Sequence, residues 1–135
     1  GTGGDLIKME SILGGAGADA TDVHEAATGG VLLDDGDVLV LSGTGNVDVS
    51  GDAAADLVAI RAAAGGLTAD ASSEQFAIFK ADTNGDGSAN EVQVWYLTTD
   101  ATNTEIDTTT QIATLDGYSV SADLAGDFLV GNFDM

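Results

Sequence analysis

The sequence predicts a mainly β domain, β-sandwich or β-roll-like, with one short α-helix at about residues 52–64 and one long hairpin at about residues 75–98. Three observations carry that prediction. Short apolar or alternating runs recur between turn signals rich in Asp, Gly and Asn. Only one stretch, rich in alanine, places its apolar residues at helical spacing. Two longer runs of β-branched and aromatic residues flank an acidic loop.

The length of 135 residues suits one domain. A chain of this size buries roughly two-thirds of its unfolded surface. Aromatics make up only 5% of the residues, and alanine fills much of the apolar fraction, so the core should be rich in small side chains. The organisation divides into a Gly-rich segment, 1–30, and a single β-rich domain, 31–135.

Within the first segment, Gly14-Gly15-Ala16-Gly17-Ala18-Asp19 matches the first six positions of the nonapeptide G-G-x-G-x-D-x-U-x, in which the acid reaches calcium between stacked turns. The match then weakens, because Thr21 stands where a large apolar residue is wanted. A flexible glycine loop is the alternative. His24 falls in a polar stretch and reads as a solvated loop residue.

Val31-Leu32-Leu33 is followed by Asp34-Asp35-Gly36-Asp37, a hairpin-type turn signal. Val38-Leu39-Val40-Leu41 is continuously apolar, as a strand buried on both faces should be. Gly43-Thr44-Gly45-Asn46 makes the next turn, and Val47-Asp48-Val49-Ser50 alternates like a half-buried strand. Asp52 can cap a helix whose alanines are strong helix formers. Leu57, Ile60 and Ala64 form its apolar face, Val58 widens that face, and Gly65-Gly66 ends the helix.

Residues 75–81 and 91–97 are the two hairpin strands. Val92, Val94 and Tyr96 share one face; Glu91, Gln93, Trp95 and Leu97 share the other. The Thr-rich stretch from Thr98 to Thr110 reads as a solvated loop with room for a short strand. Gln111–Leu115 is a strand, Asp116-Gly117 a turn, and Ser121–Leu124 the opening of a helical turn.

The hairpin loop is the most specific chemical signal. Asp82-Thr83-Asn84-Gly85-Asp86-Gly87-Ser88-Ala89-Asn90 reads D-x-N-x-D-G-x-x-N. Calcium takes six to eight hard oxygens at about 2.3–2.6 Å. Asp82, Asn84 and Asp86 offer side-chain oxygens at alternating positions, Ser88 a backbone carbonyl, Asn90 an amide oxygen and Glu91 an extra carboxylate. Gly85 and Gly87 permit the sharp turns that aim them inward. The first half matches the helix-loop-helix calcium hand. The second half departs, because Gln93 stands at position twelve. The loop is closer to the strand-loop-strand calcium hairpin D-x-D-x-D-G-x-x-D, with Asn84 and Asn90 lowering the site charge. A metal-free Asp/Asn/Gly hairpin loop is the alternative. Asp34, Asp35 and Asp37 are weaker candidates for a second ion, as is Asp19.

The charge agrees with a cation partner. The chain carries 23 acids against 3 bases, a net charge of −20, and 18 of the acids are Asp. Such a field disfavours nucleic acids and anionic membranes, both polyanionic. With no cysteine there are no disulfides and no thiolate zinc sites. No apolar run approaches the roughly 18 residues of a membrane span. The chain begins at Gly1 without a signal-peptide pattern, which suggests a piece of a longer chain or a processed product. No catalytic centre is expected: His24 is the single histidine, and Ser42, Ser50, Ser72 and Ser73 lack a nucleophile-elbow context.

The Gly14–Asp19 segment, the hairpin Phe79–Gly87 with Val92–Tyr96, and the terminal Asp127-Phe128-Leu129-Val130 together resemble the C-terminal region of RTX-type bacterial proteins exported by type I secretion. That group includes calcium-dependent surface-layer proteins, large adhesins and secreted enzymes. The resemblance implies Ca2+ as the cofactor, secretion to the extracellular cell surface, and a secretion signal at Asp127, Phe128, Leu129 and Val130. It also implies partners in the type I apparatus and in copies of the chain itself. Calcium would fill weak sites outside the cell and drive folding. The expected role is a structural calcium-binding module. The alternatives are an adhesin-type ligand-binding module, with Trp95 and Tyr96 as stacking residues, and the C-terminal secretion module of a secreted enzyme.

Overall fold

The computed structural model describes residues 7–8, 23–25, 32–33, 36–41, 46–64, 68–69, 72–100, 102, 105–115 and 133–134. In chain order these form β1 (Ile7–Lys8), β2 (Val23–Glu25), β3 (Leu32–Leu33), β4 (Val38–Val40), β5 (Val47–Asp48), α1 (Ala53–Ala63), β6 (Thr68–Ala69), β7 (Glu74–Asp82), β8 (Glu91–Thr99), β9 (Ile106–Thr114) and β10 (Phe133–Asp134). Among the described residues the chain is mainly β with one short helix, as its patterning predicts. Among the described residues, the largest sheet runs β2-β4-β7-β8-β9, with β5 also paired to β7. The β2, β4, β5 and β7 pairings are parallel, and β7-β8-β9 is antiparallel.

Strand β7 lies inside this sheet because both of its faces are apolar. Phe76 and Ile78 join one cluster with Val38, Val40, Val92 and Val94. Ala77, Phe79 and Ala81 join the other, with Leu39, Leu41, Trp95, Leu97 and the helix residue Ile60. The continuous run 38–41 divides in the same way, so it is buried on both faces as its sequence predicts. Val47 and Val49 are buried while Asp48 and Ser50 are exposed, matching their alternation.

Strands β4 and β5 occupy successive parts of the same edge of β7. Val47 lies seven positions after Val40, whereas their partners Ile78 and Ala81 are three positions apart. Parallel neighbours need a crossover connection, and α1 lies in the link from β5 to β7. Asp52 caps it, accepting from the N–H groups of Ala54 (3.1 Å) and Ala55 (3.0 Å). Ile60 and Ala64 are buried in the core cluster. Val58 does not widen the apolar face: it is 65% exposed, while Ile60 and Ala64 are buried and Leu57, Ala59 and Ala63 pack beside them against the core.

Three further expectations change. Asp35-Gly36 does not close a hairpin between neighbouring strands, since β3 pairs with β6 and β4 pairs with β2 and β7, all in parallel. Gly36 instead donates its N–H to the Glu74 carbonyl. The Thr-rich residues 106–110 belong to β9, and the pairing with β8 supplies the backbone partners that the local sequence lacks. His24 sits in β2 beside Leu39 rather than in a loop. The turn at 43–45, the terminator Gly65-Gly66, the turn at 116–117 and the helical turn at 121–124 lie outside the described residues.

Candidate metal centre

Asp82 ends β7 and Glu91 begins β8, so the acidic loop sits at the tip of the hairpin. The register Ala81↔Glu91 and the bond from Asn90 N–H to the Ala81 carbonyl (2.9 Å) close its base. Gly85 and Gly87 have φ of +73° and +86°, and a Cβ at either would meet nothing within 4 Å. Backbone conformation, not space, therefore explains both glycines.

The candidate ligands hold the loop in shape. Asp82 Oδ1 accepts the N–H groups of Asn84 (3.2 Å) and Gly85 (2.8 Å), and Oδ2 accepts that of Gly87 (2.7 Å). Asn84 Oδ1 accepts from Asp86 N–H (3.0 Å), and Asp86 Oδ1 from Ser88 N–H (2.8 Å). Asn90 spans the loop mouth: its Oδ1 accepts Thr83 N–H (2.9 Å) and its Nδ2 donates to Thr83 Oγ1 (2.8 Å). The bonds to Asp82, Asn84 and Asp86 from the N–H two residues on are Asx turns.

Asp82 is almost fully buried while residues 83–88 are exposed. Burial raises its pKa, but the N–H groups of Gly87, Gly85, Asn84 and Asp86 outweigh that effect, and the net pKa lies below the ordinary 3.8. The backbone donors thus favour the charged carboxylate.

This donor set fits a hard cation. A carboxylate has about four lone-pair directions, and Asp82 uses three of them on backbone donors. Asn84, Asp86 and Asn90 each use one. Ser88 keeps its place in the loop, with its N–H committed to Asp86. Glu91 is drawn the other way, its Oε2 accepting from Gln93 Nε2 at 2.9 Å. Among the described residues, no three His, Cys, Asp or Glu side chains cluster as a metal site, so an ion here would rely on the amide oxygens of Asn84 and Asn90 beside two carboxylates.

Thr83 and Asp48 are the residues that loop spacing missed. Thr83 exchanges two bonds with Asn90, donating its N–H to Oδ1 and accepting from Nδ2 on its hydroxyl. Asp48 stands directly opposite Asp82 in the β5–β7 register, and only the strand pairing brings it there. Asp37 is buried, and its carbonyl accepts Phe76 N–H at the other end of β7. Asp19, Asp34, Asp35 and the segment Asp127-Phe128-Leu129-Val130 lie outside the described residues. Trp95 is buried against Phe79 at 6.0 Å between ring centroids, with Nε1 donating to Gln93 Oε1. Tyr96, half-buried on the opposite face, packs on Phe76 at 5.8 Å. No family model, no curated protein and no solved structure matches the chain.

Proposed function

We propose that this chain is a structural calcium-binding module of an extracellular bacterial surface or matrix protein, folding on Ca2+ after type I export and assembling with copies of itself. The observation that carries the reading is the 82–90 loop, where Asp82, Asn84, Asp86 and Asn90 are fixed by backbone N–H groups around a carboxylate kept ionised. Asp48 beside Asp82 adds to the negative charge at the loop base, and like charges on paired strands are destabilising until a cation screens them. The chain's net charge of −20 works in the same direction. Catalysis has no part in this role. The adhesin alternative draws less support, since Trp95 is engaged in the core and Tyr96 rests on Phe76.

The test is a calcium titration of the purified chain, with far-UV circular dichroism and light scattering followed together. A gain of β signal with growth into large particles supports the reading. A gain without growth removes the assembly part, and no response at millimolar calcium removes the metal.

A further inference from the structure

Of the five asparagines in the chain, Asn84 alone is followed by glycine. Asparagine is a labile side chain, and the residue after it governs its loss. The nitrogen of that residue attacks the side-chain Cγ, and glycine has no Cβ to obstruct the approach. Asn84 and Gly85 are both exposed, so water reaches them. The Asp86 N–H sits on Asn84 Oδ1 at 3.0 Å, where it stabilises the charge that attack on Cγ places on that oxygen. The attacking group is restrained. Gly85 donates its N–H to Asp82 Oδ1 at 2.8 Å, and its nitrogen can attack only after that bond breaks. A bond to a carboxylate is about twice as strong as one to a neutral acceptor.

We propose that Asn84 is a site of spontaneous deamidation, and that Asp82 restrains the reaction by holding the Gly85 N–H. The Gly85 nitrogen gives its proton to water and bonds to Asn84 Cγ. The bond from Cγ to Nδ2 breaks, and ammonia leaves with a proton taken from water. The product is a succinimide ring. Water then adds to either ring carbonyl and the ring opens. Addition at Cγ gives aspartate; addition at the main-chain carbonyl gives isoaspartate, in which the chain runs through Cγ. The net change is one water consumed and one ammonia released, with no oxidant or reductant. Aspartate puts a third carboxylate beside Asp82 and Asp86. Isoaspartate adds a carbon to the main chain and spoils the Asx turns at 82–88. Asn90 is exposed in the same loop but precedes Glu91, so it lacks the glycine and stays intact. The restraint lies in a hydrogen bond of the loop itself, and its failure would leave the calcium reading untouched.

The experiment incubates the full chain at mildly alkaline pH, in calcium-containing buffer and in concentrated urea. Released ammonia gives the rate, and peptide mass mapping gives the position. Conversion at Asn84 and none at Asn90 is expected. The unfolded chain should convert at least about tenfold faster than the folded one, the scale of one charge-assisted hydrogen bond. In buffer, Asp82→Ala should accelerate conversion by about the same factor. Asn90→Ala removes the bonds across the loop mouth and one candidate calcium ligand, but leaves the bond from Gly85 to Asp82. It should stay within about twofold of the wild type, less than the loss of one neutral hydrogen bond. Circular dichroism checks that each variant folds. Where Asp82→Ala does not, Asp82→Asn replaces it, with about a threefold acceleration from the lost charge. The proposal is overturned by an intact Asn84 in urea, by equal rates in buffer and urea, or by an Asp82 variant no faster than Asn90→Ala.

Discussion

The Asp82 carboxylate accepts the Gly87 N–H at 2.7 Å across the tip of the hairpin, tying the last residue of β7 to the turn point of the loop. That bond, with those from Asn84 and Gly85, is stronger when Asp82 is ionised. Because the folded pKa lies below the ordinary 3.8, its contribution to stability is complete above that value and is lost as the pH falls through the folded pKa. Urea midpoints of the wild type and Asp82→Asn should differ by a constant amount above pH 3.8 and converge below it. Calcium also favours the charged form, so loading the protein should carry the convergence to lower pH. A difference that ignores pH would contradict this account.

Asn84→Asp should tighten calcium binding. The new carboxylate keeps the acceptor that holds Asp86 N–H and adds a charge at the second ligand position. Isothermal titration calorimetry should read about a tenfold lower dissociation constant, the order by which a charge-assisted contact exceeds a neutral one. An unchanged constant would mean that residue 84 faces no ion.

Asp52→Ala should lower stability by about 1 kcal/mol, the usual worth of an N-cap. The substitution strands the Ala54 and Ala55 N–H groups at the start of α1. Thermal unfolding at fixed calcium checks it, and no loss would show that water replaces the cap at no cost.

Leu39→Ala and Val58→Lys should separate core from surface. Leu39 is fully buried, and its truncation should cost about 2–5 kcal/mol. Val58 is 65% exposed despite its place in an apolar run, so its replacement should stay within about 0.5 kcal/mol. Chemical denaturation of the two variants gives both numbers, and a large loss in Val58→Lys would mean a partner covers that face.

Gln75→Met should be neutral or stabilising by about 1 kcal/mol. Gln75 is fully buried, and its Oε1 has no hydrogen-bond partner. Nε2 donates to Ser73 Oγ, but that hydroxyl also bonds Thr99 Oγ1 and keeps a partner after the change. Replacing an incompletely satisfied buried amide by an apolar group of similar size relieves a desolvation cost. A loss beyond about 2 kcal/mol would mean that the Ser73 contact outweighs the unpaired oxygen.

The amino-acid sequence by itself determined the local features. Asp52 before an alanine run specifies a capped helix, alternation at 47–50 specifies one buried side, and D-x-N-x-D-G between two β-prone runs specifies the loop at 82–90, since each depends on residues within a few positions of one another. Tertiary structure decided what depends on distant pairing. Parallel addition of β4 and β5 to β7 set aside the hairpin signal at Asp35-Gly36 and brought Asp48 opposite Asp82. Pairing with β8 turned the Thr-rich stretch at 106–110 into strand. The approach of α1 to β9 brought Asp56 and Thr109 to the lining of one cleft, although 53 positions separate them in the chain. The physical reason is common to all three. A strand's hydrogen bonds and a helix's buried line are satisfied by whichever partner the whole fold supplies, and no local pattern of side chains encodes that partner.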